Sequence, residues 1–443
     1  MKKKILFIMP SVGRKKDQPY VKSWNMQPLA IAVLSALTPD RYFEKHFVDD
    51  RMEKIPYDMQ VDAVMITVET YSAKRTYQIA REFRKKQIPV ILGGFHVTLL
   101  PEEAMQHADA IVIGEAEGCW QELLEDLSAK RLKKHYKADT VFGTKPFLPD
   151  LNIYKDKRYL NLSMLETSRG CRYNCEFCSI SSFFNHKCYF RSIEDVIHQI
   201  KSTGKKKWFF VDDNIGSDPE RLEQLLKALI PLKIIWTGQI SIEITRYPKL
   251  LELMNKSGCI GVLIGFESIN PDNVSQMGKK INTVGDYEKA VKNMRKYGMC
   301  IYGTFVFGYD EDTVDTFTET LRFAKQSKMF FAAFNHLVPF PGTALYKRLE
   351  EENRLLYDKW WLDDNYKFGD VAFKPKNFSA SELTELCLIH RNKFYTVSSI
   401  FRRGFDFKGN CNSLFMTALF YIQNFRAKKD VALRQELPMG FEE

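Results

Sequence analysis

At 443 residues, 45% of them apolar, the chain is too long for one ordinary hydrophobic core and too apolar to be disordered, so two or three domains are expected. The net charge of +10 is scattered, with no basic arm or arginine-rich helix, so a solubilising surface accounts for it and no nucleic-acid partner is expected. Nine cysteines are too sparse, and odd in number, for a secreted disulfide scaffold, and a reducing cytoplasm is the expected setting.

The opening MKKKILFIMPSVGRKK begins like a secretory signal, but its apolar run ends at Pro10, short of the roughly 7–15 residues of an h-region. It reads as a first buried strand. Residues 1–140 then alternate apolar strands (FEKHFVDD, DAVMITV, PVILGGFH, ADAIVIGEAE) with helical patterns (MQPLAIAVLSALTP, AKRTYQIAREFRKKQ, CWQELLEDLSAK). Strands so continuously apolar are buried on both faces, which predicts a parallel, doubly wound, Rossmann-like α/β domain. Ligands of such sheets sit at the carboxyl ends of strands, here Pro10 to Gly13, Thr67 to Tyr71, Gly93 to His96 and Gly114 to Glu117.

Residues 141–160 lack a period, carry two prolines and read as a linker. From 161 to 355 a second alternation follows: LNLSMLETSRG, KKWFFVDDN, IIWTGQISI, CIGVLIGFES, CIYGTFVFGY and FFAAFNHLVPF as strands, with helices from about residues 218, 247, 285 and 312. SIEDVIHQIKSTG is a further helix with a Ser cap and a Gly stop. Six such units predict a partial (β/α)6, TIM-like barrel. Residues 356–443 read as a mostly helical C-terminal domain, in which NSLFMTALFYIQNF (412–425) is either a core helix or a helix in peripheral contact with a membrane. No segment reaches the roughly 18 apolar residues that a transmembrane helix needs.

The stretch ETSRGCRYNCEFCSI places Cys171, Cys175 and Cys178 in one loop after the first strand of the second alternation. Soft thiolates favour zinc or iron–sulfur. A closed zinc site wants four ligands, and Cys188 or His186 could supply the fourth. A 4Fe–4S cluster held by three cysteines keeps one iron open for a substrate or cofactor.

CxxxCxxC with an aromatic residue before its last cysteine (CRYNCEFC) resembles the radical S-adenosylmethionine superfamily. The resemblance extends through the Arg191-Ser192 pair opening the next helix, WFFVDDN, LIGFES, GTFVFGYDEDTVDTF and VPFPGTALY, while PVILGGFHVTLLPEEAMQHADAIVIGEAE resembles the cobalamin-binding-type domain that one subclass carries ahead of the barrel. It implies Cys171, Cys175 and Cys178 as ligands of a 4Fe–4S cluster, with Cys188 a bystander. The open iron would chelate S-adenosylmethionine, whose reductive cleavage yields a 5′-deoxyadenosyl radical, with the protein supplying position and exclusion of water. Phe177 is expected near the adenine. Asp212 and Asp213, in place of the family's Gly-Gly-Glu-like strand end, are expected at the methionine moiety, with a helix cap as the competing role. Glu267 matches the position that holds the ribose hydroxyls, and Gly303 and Gly308 fit close approach to adenine. Gln239, Glu243 and His336, near strand ends, could face substrate.

For the leading domain the resemblance implies cobalamin, with Gly93, Gly94, His96, Gly114 and Glu115 lining it. Some such domains carry D-x-H-x-x-G after the first strand, with the His binding cobalt; here that loop reads MPSVGRKKDQPY and has no histidine. The expected activity is cobalamin-dependent methylation of an unactivated carbon or phosphorus in a small-molecule or lipid-like substrate, with a reductant such as flavodoxin or ferredoxin. A non-methylating radical cyclisation, rearrangement or oxidation beside a vestigial first domain is the alternative, and a non-enzymatic iron–sulfur protein a remote one. A methylthiotransferase is disfavoured because residues 1–150 contain only Cys119.

Overall fold

The computed structural model describes residues 2–15, 25–138, 142–143, 148–279, 281–433 and 436–441. The chain forms two compact units. The first comprises Met1–Asn161, Tyr357–Gly369 and Glu436–Glu443, and the second Leu162–Leu356 and Asp370–Gln435.

In the first unit, β1 (Lys3–Met9), β2 (Phe43–Asp49), β3 (Ala63–Thr67), β4 (Val90–Gly93), β5 (Ala110–Ile113) and β6 (His135–Lys137) form one sheet in the order β2-β1-β3-β4-β5-β6. Every pairing is parallel. Helices α1 (Leu29–Leu37), α2 (Ala73–Lys85) and α3 (Trp120–Ser128) connect these strands. Ile5, Leu6, Phe7 and Ile8 are all fully buried, as a central strand covered on both faces requires. The order reverses at β1 and β3, which opens a crevice at their carboxyl ends. There Asp50 accepts from Ser11 N (3.1 Å) and Oγ (2.6 Å) and from both ends of the Arg75 fork (2.9 Å each), which fixes the start of the loop after β1. Most of the rest of that loop, residues 16–24, lies outside the described residues.

The stretch expected as a linker over 141–160 is, where described, part of this unit. Asp150 accepts from Ser35 Oγ and Lys45, and Tyr154 is buried edge-on against Phe47. Aromatic burial does this without any sequence period. The C-terminal domain expected over 356–443 is likewise divided between the two units. In the first unit, Trp360 and Trp361 are almost completely buried, and the centre of that packing is Glu103. It accepts from Tyr77 Oη (3.0 Å), Trp361 Nε1 (3.0 Å) and Lys359 Nζ (3.1 Å), and meets His96 Nε2 at 3.0 Å.

In the second unit, β7 (Ser163–Leu165), β8 (Lys207–Phe210), β9 (Ile235–Ile240), β10 (Cys259–Glu267), β11 (Cys300–Phe307) and β12 (Phe331–His336) follow in sequential order and pair in parallel. This is the expected partial barrel. Its helices include α4 (Ile193–Thr203), α5 (Pro219–Leu229), α6 (Pro248–Lys256), α7 (Tyr287–Lys296), α8 (Val314–Gln326) and α9 (Ala344–Glu351). Trp236, Ile264, Phe266, Phe305 and Phe334 turn toward Leu222, Leu251, Met294 and Phe317 of these helices in one core, so the alternate residues of each strand line the concave face. Ser192 caps α4 by accepting from Asp195 N, and Gly204 ends it at φ 63°.

After the barrel come α10 (Ala380–Phe394), α11 (Val397–Gly404) and α12 (Leu414–Leu433). Met416 and Phe420 of α12 are buried with Ile400, Cys300 and Phe330 in a separate core at the amino ends of the last barrel strands. Among the described residues, no helix is long and apolar enough to cross a membrane.

Glu103 yields a prediction. Although burial opposes its charge, bonds from His96, Trp361 and Lys359 hold its carboxyl down at about 2, below the ordinary value of 4.5. A carboxyl depressed in the folded state stabilises above the unfolded value and loses that contribution as pH falls from about 4.5 to about 2. Glu103→Gln should lower stability at pH 7 by roughly 3 kcal/mol and flatten the loss between pH 5 and 2, read by urea unfolding at each pH.

Candidate active site

The cysteine loop enters at Gly170, whose φ of 83° and position 2.0 Å from Lys187 O, measured from where a Cβ would stand, admit only glycine. Irregular backbone in a buried place needs partners, and they come from many elements. Gly170 N donates to Asp213 Oδ2 (2.7 Å), and Glu176 N donates to Met277 O (3.2 Å). Glu176 O accepts from Leu345 N (2.9 Å), and its carboxylate pairs with Arg348 of α9 (2.9 Å). Arg172 and Tyr173 both donate to Glu243, at 2.7 and 2.5 Å. Glu243, read from sequence as a candidate for substrate, is thus used to hold the loop.

The two acids ending β8 divide their work. Asp212 is buried and accepts from Thr167 N, Thr167 Oγ1 (2.7 Å) and Ser168 Oγ (2.5 Å); it anchors the backbone before the loop. Asp213 spends one oxygen on Gly170 N, Gln239 Nε2 donates to its carbonyl (2.8 Å), and burial pushes its carboxyl up to about 6. Asp213 therefore retains the freer carboxylate of the pair.

All three loop cysteines are free thiols. Burial raises Cys171 and Cys175, the latter to about 12, and each is raised further by the charge of its cysteine neighbours, which places them in one electrostatic neighbourhood. Cys188 belongs to that neighbourhood too, since its charge is felt at Cys171. Among the described residues, no three His, Cys, Asp or Glu side chains converge tightly enough for a single metal ion. Two further observations fit a thiolate-bound cluster. Asn214 Oδ1 accepts from Gly216 N and Ser241 N (3.1 Å each), so its buried Nδ2, without a hydrogen-bond partner within reach, is turned to where it favours the Cys171 thiolate. Lys279 lowers Cys175 by its charge.

Lys279 also meets Glu267 at 2.5 Å. Glu267 ends β10 at φ 62° beyond a bulge in the pairing with β11, and is buried. The acid expected at the ribose is ion-paired with Lys279 beside the cysteine loop.

A Radical SAM superfamily model matches residues 165–324 and a B12-binding domain model matches residues 25–124. Bacteriochlorophyllide d C-12(1)-methyltransferase of Chlorobaculum tepidum is 32% identical over 85% of this chain and 84% of its own length. The chain belongs to the cobalamin-dependent radical S-adenosylmethionine methyltransferase family. Its cofactors follow: a 4Fe–4S cluster and S-adenosylmethionine for the barrel, and cobalamin for the leading domain. Other relatives are bacteriochlorophyllide d C-8(2)-methyltransferase of the same organism (33% identical; 76% of this chain, 79% of that one) and hopanoid C-2 methylase of Rhodopseudomonas palustris (27%; 75% and 66%). The fold matches that of the methyltransferase TsrM of Kitasatospora setae with cobalamin and a [4Fe-4S] cluster bound (TM-score 0.63, 17% identical, 80% of this chain and 75% of that one). It also matches OxsB with aqua-cobalamin (TM-score 0.67, 17%, 98% and 72%).

Several residues expected at cofactors are placed elsewhere. The missing Cβ of Gly303 faces Met329 Sδ (2.5 Å) and Phe266 in the outer core, and that of Gly308, at φ 108°, faces Leu383 and Phe373, so side-chain packing by itself fills the space at both glycines. His96 is fully buried, its Nδ1 3.3 Å from Thr70 Oγ1 and its Nε2 on Glu103. Both ring nitrogens are used, and His96 cannot bind cobalt. Gly94, at φ 111°, lies against Val68 N and O, which a side chain would strike. Gly93 and Gly114 leave the ends of β4 and β5 free of side chains, with Glu115 beside them, buried. Such ends suit a flat macrocycle held without an imidazole from His96. Phe177 packs against the barrel core, half-buried, and His336 is buried with Nδ1 on Leu337 O (2.8 Å). Lys279 had no role in the sequence reading, and Asn214 entered it only with Asp212 and Asp213 at the strand end; neither stands in a cysteine motif, and only the fold brings them to the thiols.

Asp212→Ala should cost the barrel about 2–3 kcal/mol, because three donors lose their acceptor at once. Asp213→Asn, which keeps an oxygen for Gly170, should cost under about 1 kcal/mol. Urea unfolding of the two variants measures this, and equal losses would reverse the division of labour between the acids.

Proposed function

We propose that this enzyme methylates an unactivated carbon in a large, apolar, ring-bearing small molecule. The supporting observation is the barrel's concave face. Apart from Glu267 and His336 at their carboxyl ends, strands β9 to β12 carry no Asp, Glu, Lys, Arg or His. Their concave positions include Gln239, Leu263, Tyr302, Thr304, Val306 and Asn335, and Tyr302 keeps 37% of its surface open within the strand. A face so poor in acids and bases offers no general acid–base path to an oxygen or nitrogen nucleophile, and suits a carbon whose reactivity must come from a radical. The relatives named for bacteriochlorophyllide and hopanoid methylation act on ring-bearing, apolar molecules, which accords with this reading.

When bound, the cluster and S-adenosylmethionine supply the radical and cobalamin supplies the methyl carrier. This chain's part is to hold Cys171, Cys175 and Cys178 as thiolates, aided by Asn214 and Lys279, to present Asp213 to the methionine end of S-adenosylmethionine, and to enclose the reaction within an uncharged barrel lining. A one-electron donor such as flavodoxin or ferredoxin is needed to reduce the cluster. The cysteines, all free, suit a reducing cytoplasm.

Anaerobically reconstituted protein should hold about four irons per chain, take up hydroxocobalamin, and convert S-adenosylmethionine to both 5′-deoxyadenosine and S-adenosylhomocysteine in the presence of an acceptor. Cys175→Ala should lose the cluster absorbance and all 5′-deoxyadenosine. Cleavage that survives this substitution would refute the assignment of the loop. 5′-Deoxyadenosine formed with no S-adenosylhomocysteine and no methylated product would favour the non-methylating radical reaction instead.

A further inference from the structure

Of the fifteen large apolar side chains exposed among the described residues, eight lie between residues 397 and 425. They are ordered by the helices that carry them. Val397, Phe401 and Phe405 recur every four residues along α11 and its end, and Leu414, Ala418, Ile422 and Phe425 follow at spacings of four, four and three along α12. Both stripes face outward, because Ile400 and Arg403 of α11 and Met416, Phe420 and Asn424 of α12 already occupy the inward face. The two helices meet where the Phe401 and Tyr421 rings lie 5.4 Å apart, so the stripes border one another. Phe407, 73% exposed, stands on the connection between them, and Leu414, 92% exposed, opens α12. Single exposed apolar residues need no explanation, but two adjoining stripes form a patch.

Charge decides what such a patch meets. Between residues 393 and 429 the exposed ionisable side chains are Lys393, Arg402, Lys408, Arg426, Lys428 and Lys429. The acid in that stretch, Asp406, is buried and spent on Arg295 (2.6 Å). Apolar stripes accompanied by these lysines and arginines, with the one further acid of α12, Asp430, only partly exposed, fit an anionic phospholipid surface, where the rings enter the acyl boundary and the basic groups meet headgroups. A second copy of this chain would bring the same positive rim against itself. We propose that α11 and α12 dock this protein on the surface of an anionic membrane, without crossing it. The inference stands apart from the choice of substrate, although a surface-bound enzyme gains access to molecules dissolved in lipid.

The test is sedimentation of the full chain with sucrose-loaded vesicles. Binding should be seen on phosphatidylcholine vesicles containing phosphatidylglycerol, be at least about tenfold weaker on phosphatidylcholine alone, and decline with added salt. Phe405→Ser with Phe407→Ser, and separately Lys428→Glu with Lys429→Glu, should each weaken binding by about tenfold or more, with melting temperature unchanged. Leu414→Ser, at the most exposed of these positions, provides a variant with the least risk to folding. Absence of binding to either vesicle, equal binding to both, or a dimer in analytical ultracentrifugation that the same substitutions dissociate would each overturn the proposal.

Discussion

A loop that carries three thiols into a buried place cannot use a sheet or helix to satisfy its own backbone, so it depends on acceptors and donors brought from elsewhere. Asp213 takes Gly170 N, Glu243 takes Arg172 and Tyr173, and Glu176 reaches Met277, Leu345 and Arg348. These partners stand after three different barrel strands, β8, β9 and β10, and on helix α9, so the shape of the loop depends on contacts spread across the barrel. The cost is that many acids at strand ends are committed to the scaffold. Glu243 and Asp212 are among them.

The same constraint shapes the first unit on a smaller scale. Asp50 gathers Ser11 and Arg75 at the strand-order reversal, and Glu103 gathers His96, Tyr77, Lys359 and Trp361. Each is a buried carboxylate that would be costly alone and is stabilised by charge-assisted bonds. His96 is the instructive case. At the end of GGFH it stands where a ligand would bind, yet the fold turns its ring inward to Glu103.

Nearly all strands and helices of both α/β units were legible, because doubly covered strands and amphipathic helices leave strong periods in the sequence. The cap at Ser192 and the stop at Gly204 were equally plain, since each rests on the chemistry of one residue. The linker reading failed at Tyr154, and the separate C-terminal domain failed at Trp360 and Trp361, where isolated aromatics are buried without periodicity. At Gly303 and Gly308 a glycine reports that space is short, not which neighbour takes it; the protein neighbours are Met329, Phe373 and Leu383.

The sequence by itself determined the order of the elements, the two α/β folds and the three thiols on one loop, because these follow from local periodicity and from spacing within a few residues. The tertiary structure decided which charged groups face that loop. Lys279 reaches Glu267 and the field of Cys175, Asn214 turns its amide to Cys171, and Asp212 and Asp213, adjacent in sequence, take different tasks. The physical reason is that electrostatic interaction depends on distance through space and on the dielectric around it, and neither is encoded at any single position in the chain.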